Sequence, residues 1–340
     1  MKPLVLFCSL MLCLAVGAWT LESSDGSLTV RLDPAGGSFS LHAVGPGGLT
    51  TALLFEPDPR TSGISVLEGN RIHRMGTGGG FERSVEERDG WIGIRWRSAT
   101  IEVEQRFTTS NGVSGVANGE VRVVNRSESA RVVAVRYLLD TWLGEQREVH
   151  FVTGDGREIR SEYRMEPGPH NSYWLSSDGQ IALFFLVGGE AITDADAVLF
   201  ANWKRLKDAR WDYVVRADRS FDLIPYSMND SAAAVYYAPR TLQPGETYHI
   251  SFVVGRGEGL ARTAQLAPGR VAPATAVRER TPEQRRRPND RAAIEAEIDR
   301  INALLSDINR RLESDRPVSD AEVEALRERL QQLQGDRSPL

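Results

Sequence analysis

The stretch from Asn229 to Gly255, N-D-S-A-A-A-V-Y-Y-A-P-R-T-L-Q-P-G-E-T-Y-H-I-S-F-V-V-G, decides the fold class. It reads as two strands, an apolar run at 232–237 and an alternating one at 247–254, joined by a loop holding Pro239, Pro244 and Gly245. In the second run Tyr248, Ile250, Phe252 and Val254 share one face and Thr247, His249 and Ser251 the other. That is the period-2 pattern of a half-buried antiparallel strand. Pro244-Gly245 ahead of it is a turn, because proline presets φ and glycine accepts the positive φ after it.

Working upstream, the same grammar repeats. Residues 28–32 and 38–42 alternate around Asp33-Pro34-Ala35-Gly36-Gly37, a hairpin signal, and 45–48 and 57–63 are loops rich in glycine and proline. Gly76-Thr77-Gly78-Gly79-Gly80 lacks the following helix and the Lys-Ser/Thr of a phosphate loop, so it reads as a turn. Residues 91–97 and 100–107 alternate, with Ile101, Val103 and Phe107 opposite Glu102, Glu104 and Arg106. Residues 120–124 end at Asn125-Arg126-Ser127, which fits both a polar turn and a glycosylation sequon. A longer strand comes next at 131–139 and closes on Asp140; the unbroken apolar run 181–187 fits a central strand covered on both faces. Strands recur with turn chemistry between them and no long helical period appears before residue 258. The expectation is a mainly β chain, with one large antiparallel β super-sandwich over 19–258.

Composition narrows the setting. The 340 residues carry a net charge of −5, which gives no electrostatic reason to expect nucleic acid. Residues 1–18 have the plan of a secretory signal: Lys2, an apolar run over 4–16, then small residues at Gly17 and Ala18. An exported protein of the periplasm or cell envelope is expected, starting near Trp19 once the signal is cleaved. Cys8 and Cys13, the 2 cysteines, both lie inside that signal. The mature chain then has no disulfide, thiolate nucleophile or Cys-type zinc site. No second apolar segment approaches the ~20 residues of a membrane span.

Beyond residue 258 the grammar changes. Residues 259–288 read as a linker, with scattered prolines and the basic cluster Arg285-Arg286-Arg287 but no apolar periodicity. Over 289–335 two seams appear: Ile294, Ile298, Ile301, Leu305, Ile308 and Leu312, then Val323, Leu326, Leu330 and Leu333. They predict a coiled-coil helical hairpin, broken at Pro317 and restarted by the capping box Ser319-Asp320-Ala321-Glu322. Such a hairpin exposes apolar stripes suited to oligomerisation or docking.

Candidate chemistry concentrates between Asp140 and Asp230, where Trp and Tyr alternate with carboxylates. Asp140, Glu162, Trp174, Trp203, Trp211 and Asp230 are the candidate ligand-binding set. Indole rings stack on pyranose C–H surfaces while carboxylates accept from hydroxyls; the same residues also describe sandwich-core aromatics with polar partners. A carboxylate–histidine pair in the Glu162–His170 region is the candidate for catalysis. No two histidines have ligand spacing, so neither a metal nor a cofactor is expected.

Several motifs occur in succession: Asp33-Pro34-Ala35-Gly36-Gly37-Ser38-Phe39, Leu138-Leu139-Asp140-Thr141-Trp142-Leu143-Gly144, Phe200-Ala201-Asn202-Trp203, Trp211-Asp212-Tyr213, Asp230-Ser231-Ala232-Ala233-Ala234-Val235-Tyr236-Tyr237 and Leu242-Gln243-Pro244-Gly245-Glu246. Together they resemble a poorly characterised family of exported bacterial β super-sandwich domains, over about residues 20–257. Where that family carries Asn-Asp-Gly after the Leu-Gly, this chain has Glu145-Gln146-Arg147. The resemblance implies a fold and an envelope setting and brings no established reaction; mutarotase-like and polysaccharide-enzyme super-sandwiches are its architectural analogues. The function expected is non-catalytic: a β domain binding a glycan or an envelope protein, with a helical tail for oligomerisation or docking. The alternative is a carbohydrate-active enzyme of epimerase or glycan-processing type.

Overall fold

The computed structural model describes residues 19–257, apart from 24, 34–36, 78, 89, 110–113 and 190–191. The expected signal, linker and coiled-coil hairpin lie outside the described residues. Within them the chain is mainly β, in three antiparallel sheets. A six-stranded sheet runs in the order Tyr163–Met165, Ala197–Asn202, Ser231–Leu242, Arg131–Asp140, Gly63–Glu68, Arg71–Arg74. A nine-stranded sheet runs Glu158–Ile159, Phe151–Thr153, Tyr173–Ser177, Ala182–Leu186, Thr247–Arg256, Val116–Asn125, Ile101–Thr109, Trp91–Arg97, Glu82–Arg88. The third sheet orders Trp19–Glu22, Leu28–Asp33, Ser38–Val44 and Thr50–Ala52 as a meander.

The two strands of the deciding stretch belong to different sheets. Ser231–Leu242 pairs with Arg131–Asp140, whereas Thr247–Arg256 pairs with Val116–Asn125. The turn at 243–246 therefore carries the chain from one layer to the other, with Gly245 at φ 79. Pro239 lies inside the first strand rather than in the loop. The register slips there, Val133 facing Arg240 and Val135 facing Tyr237. A residue without an N–H is tolerated at such a bulge.

Alternation then builds one core. Tyr137, Leu139, Ala233, Val235 and Tyr237 from the six-stranded sheet meet Val103, Phe107, Ile250, Phe252, Phe185 and Trp174 from the nine-stranded one. Phe39 of the small sheet packs against Phe107 and Tyr137, so its apolar face completes the same core. The run 181–187 is covered on both faces as expected: Leu183 and Phe185 enter this core, and Phe184 enters a second cluster with Val116, Tyr173 and Val253. On the strands Trp91–Arg97 and Ile101–Thr109 the outer face of the nine-stranded sheet is charged. There Glu104 is bound by Arg95 across the strands at 2.9 Å and by Arg106 of its own strand at 2.8 Å, a charge pairing that the alternation of Glu102, Glu104 and Arg106 puts on one face.

The outer face of the six-stranded sheet is apolar and needs a cover. Leu138, Ala197, Leu199, Ala201, Ala232 and Ala234 are buried there under Leu206, Trp203, Tyr213 and Val215. These come from a short helix, Trp203–Asp208, and the segment after it. Small alanines on the strands let the cover approach closely. No helix among the described residues is long and apolar enough to cross a membrane.

Candidate functional site

Three strand ends meet at one edge of the six-stranded sheet. Asp140 lies opposite Ala232, and Asn202 opposite Ser231, so Asp140, Asn202 and Ser231 sit side by side where their strands stop. Asn202 caps the short helix, its Oδ1 accepting from the amides of Lys204 and Arg205. Its Nδ2 donates to the Phe221 carbonyl and to Ser227 Oγ, tying in the segment that leads to Asp230. Asn229 adopts φ 51, a conformation asparagine tolerates, and turns the chain so that Asp230 precedes the strand.

Glu145 reaches this edge from a tight turn. Its amide donates to the Trp142 carbonyl at 3.0 Å, and Arg147 N to the Gly144 carbonyl at 3.1 Å. Any Cβ at Gly144 would clash with the His150 backbone, so only glycine allows the turn to fold against 150. Glu145 Oε1 then accepts from Ser231 N at 3.0 Å. The result is a cluster of Asp140, Glu145 and Asp230 whose carboxylate oxygens lie within 4.8 Å of one another. Asp140 is buried, and Glu145 and Asp230 are half-buried.

Electrostatics make the cluster unusual. Burial, then the charges of Asp230 and Asp58, push Asp140 up to about 7, against a hydrogen bond from Thr61 and the Arg74 charge that pull it down. Burial, with Asp140 and Asp230 adding to it, pushes Glu145 up to about 8 against the Ser231 amide. Burial also raises Asp230, opposed by Ser227. Like charges this close cannot all ionise, so the cluster retains proton occupancy near neutrality, on Glu145 first, unless a cation is shared among its members. A neutral carboxylic acid donates as well as accepts, which suits it to hydroxyl-rich ligands or to proton transfer.

Two tryptophans neighbour cluster residues along the chain and through backbone hydrogen bonds. Trp203 N donates to the Asp230 carbonyl at 3.0 Å, and its Nε1 to the Thr61 carbonyl at 3.0 Å beside Asp140. Trp142 opens the Glu145 turn and fixes its Nε1 on the Ala52 carbonyl at 2.9 Å. Both are half-buried. Of the six residues expected from sequence, the structure thus brings together Asp140, Trp203 and Asp230.

The other three sit elsewhere, each for a visible reason. Trp174 is in the core, stacked on Phe185 at 5.8 Å and fully buried. Trp211 lies over the outer face beside Tyr236 and Arg136. Glu162 is buried in a structural network: Arg205 Nη1 at 2.9 Å, Tyr213 Oη at 2.7 Å and Arg216 N at 2.9 Å all donate to it. Tyr213 is pushed up to about 12, by burial first and then by Glu162. Glu162 thereby pins the covering segment, and His170 is exposed in its loop and makes no pair with it. The catalytic pairing read from sequence is corrected on that ground. The sequon is corrected too: Asn125 is fully buried, its Nδ2 donating to the Ser129 and Leu242 carbonyls, so it is a turn residue.

Sequence reading passes over Glu145, which shows there only as a departure from the family pattern. Its signal is Gly144: a turn glycine two residues after Trp142 that aims the next side chain back at the strand end.

No family model matches the chain, and no curated protein matches it. Solved structures do. A galactose mutarotase-like protein from Lactobacillus casei is 10% identical over 71% of this chain and 100% of its own, with a TM-score of 0.42. A GalM/aldose epimerase homologue from C. elegans is 11% identical over 71% of this chain and 99% of its own, at 0.44. A putative aldose 1-epimerase from Klebsiella pneumoniae is 10% identical over 72% and 83%, at 0.38. The site is therefore read from its own residues.

Proposed function

We propose that this is an exported envelope protein whose β domain binds a glycan, without turning it over, at the cluster of Asp140, Glu145 and Asp230. The observation that carries this reading is the convergence of three carboxyls, Asp140 raised to about 7, Glu145 to about 8 and Asp230 raised as well, beside the half-buried Trp142 and Trp203. Carboxylic acids that both donate and accept match vicinal hydroxyls, and an indole edge or face supports the apolar side of a sugar ring. An envelope protein presenting a hydroxyl-rich loop would use the same chemistry, and the expected C-terminal seams would add oligomerisation or docking.

A second reading has its own observation. Carboxyls raised to about 7 and about 8 are poised as general acids near neutral pH, so a carbohydrate-active enzyme would work from this cluster rather than from Glu162 and His170. One experiment separates the readings. Screening the purified protein on immobilised glycans, then measuring affinity by calorimetry, should find a ligand whose Kd weakens at least tenfold in Asp230→Asn and Trp203→Ala. NMR of that ligand after prolonged incubation should show it unchanged. Product that disappears with Glu145→Gln would favour the enzyme; full affinity in both variants would place the ligand elsewhere.

A further inference from the structure

Across the outer face of the six-stranded sheet, the register aligns Ala197, Tyr236, Arg136, Ser65 and Arg74 on neighbouring strands. Cross-strand neighbours share a face, and two strand spacings put the Cα atoms of Arg136 and Arg74 about 10 Å apart. Arg136 is 3% exposed and Arg74 is half-buried. Elsewhere the chain pairs such arginines with acids, as Arg95 with Glu104 and Arg205 with Glu162. Among the described residues, neither Arg74 nor Arg136 has an ion pair.

What they have instead is uncharged, and mostly long. Arg136 Nη1 reaches the carbonyls of Leu206 at 3.4 Å and Trp211 at 3.5 Å, and its buried Nε has no partner. Arg74 Nη2 reaches the carbonyls of Arg60 at 3.4 Å and Thr61 at 3.3 Å. These are longer than the ordinary N–H···O bond of about 2.9–3.0 Å. The Tyr236 hydroxyl and the Trp211 ring, 5.5 Å from the Arg136 guanidinium, supply the rest. Burial first, and then the Arg136 charge, pushes the Arg74 guanidinium down, while Asp208, Asp140 and Asp58 act on it from beyond ion-pair distance.

Two neighbouring cations, one buried and one half-buried, without a counter-ion are costly for a fold to hold. We propose that Arg74 and Arg136 form an anion site for a compact oxyanion, a carboxylate, sulfate or phosphate group, entering past the half-buried Arg74. Guanidinium forks match the planar or tetrahedral oxygens of such groups, and Ser65, between the two in the row, adds a hydroxyl. The oxyanion is either a free ion or a charged substituent on a sugar. The site stands without the glycan reading of the carboxylate cluster, because it uses none of that cluster's residues.

The full-length protein would be titrated with sodium sulfate, sodium phosphate, sodium glucuronate and glucose, at constant ionic strength against chloride. Thermal melts and calorimetry would be the readouts. An oxyanion should raise the melting midpoint in a saturable way, and Arg74→Gln should weaken its affinity at least tenfold. Arg136→Lys, which keeps the charge but loses the fork, should weaken it as well. Glucuronate at least tenfold tighter than sulfate and phosphate identifies a charged sugar substituent; comparable affinities identify a free ion. The proposal falls if chloride gives the same shift, if no oxyanion saturates, or if Arg74→Gln binds like wild type. Should Arg136→Lys fail to fold, Arg74→Gln decides alone. Oxyanion binding that survives Asp230→Asn, where glycan binding is lost, separates this site from the cluster.

Discussion

At the scale of single residues, the molecule holds several ionisable groups in places that disfavour their charge, and the cluster of Asp140, Glu145 and Asp230 is the densest. The sign of the consequence is fixed. Carboxyls titrating near 4 in the unfolded chain titrate at about 7 for Asp140 and about 8 for Glu145 in the folded protein. Between those limits the native state binds more protons than the unfolded one. Their contribution to stability is therefore whole at acid pH, is lost as pH rises from about 4 to 8, and is flat above. Glu145→Gln keeps an oxygen for the Ser231 amide and removes the titration. Its melting midpoint should match wild type at pH 4.5 and exceed it at pH 8.5 by about 3 °C, the equivalent of roughly 1 kcal/mol at this size after discounting for partial exposure. Calorimetry at the two pH values checks it. A variant that melts lower at pH 8.5 would mean that Glu145 is charged and favourably held.

That site was only half legible in the sequence. Asp140 and Asp230 stand out because each closes or opens an apolar strand with an acid, and antiparallel pairing of those strands brings the two acids to one edge. Glu145 did not stand out, since its position depends on how Gly144 packs against the His150 backbone, which is a tertiary fact. Trp174 and Glu162 misled for the opposite reason. A tryptophan in an alternating strand has an even chance of facing inward, and nothing in the one-dimensional pattern shows that Arg205, 43 residues on, neutralises Glu162. Asn125 shows the same limit, because a sequon describes composition and not accessibility.

At the scale of elements, alternation carried the reading far, and it failed where elements are short. The strands 91–97, 101–109, 131–140 and 247–256 follow from period-2 patterns, while the six-residue helix Trp203–Asp208 has too few turns to show a period. Yet that helix and the segment behind it cover the apolar outer face of the six-stranded sheet. What holds them is Glu162, buried on the edge side and bound by Arg205, Tyr213 and the Arg216 amide. Glu162→Ala would leave the half-buried Arg205 with the Ser220 and Asp222 carbonyls but no counter-charge, and would loosen the cover. Breaking a buried ion pair from one side costs about 3–5 kcal/mol, so the midpoint should fall by roughly 9–15 °C. Hydrogen exchange should show the loss concentrated over 203–219, ahead of the core strands. Uniform loss of protection across both large sheets would show that Glu162 supports the core and not the cover.

At the scale of the whole molecule, the proposed role of the residues beyond 288 is oligomerisation or docking. The expected seams are unequal: six residues, Ile294 to Leu312, against four, Val323 to Leu333. Helices of roughly 24 and 16 residues would run ~36 and ~24 Å, so an antiparallel hairpin leaves part of the longer stripe uncovered. We propose that such a stripe would be covered by a second copy of the chain or by an envelope protein. Replacing Ile301 and Leu305 together by Asp puts two charges into the middle of the longer seam. The variant should lose self-association or partner capture while its β domain melts unchanged, because the two regions share no periodic pattern that would place them in one core. Sedimentation of wild type and variant across a hundredfold concentration range reads the first effect, and calorimetry the second. If the wild type stays monomeric throughout, matches the variant in size and retains no partner from envelope extracts, the stripe is covered within one chain. If instead the variant's β domain melts lower, the seam packs on the sandwich, and the tail is part of the fold that carries the carboxylate cluster.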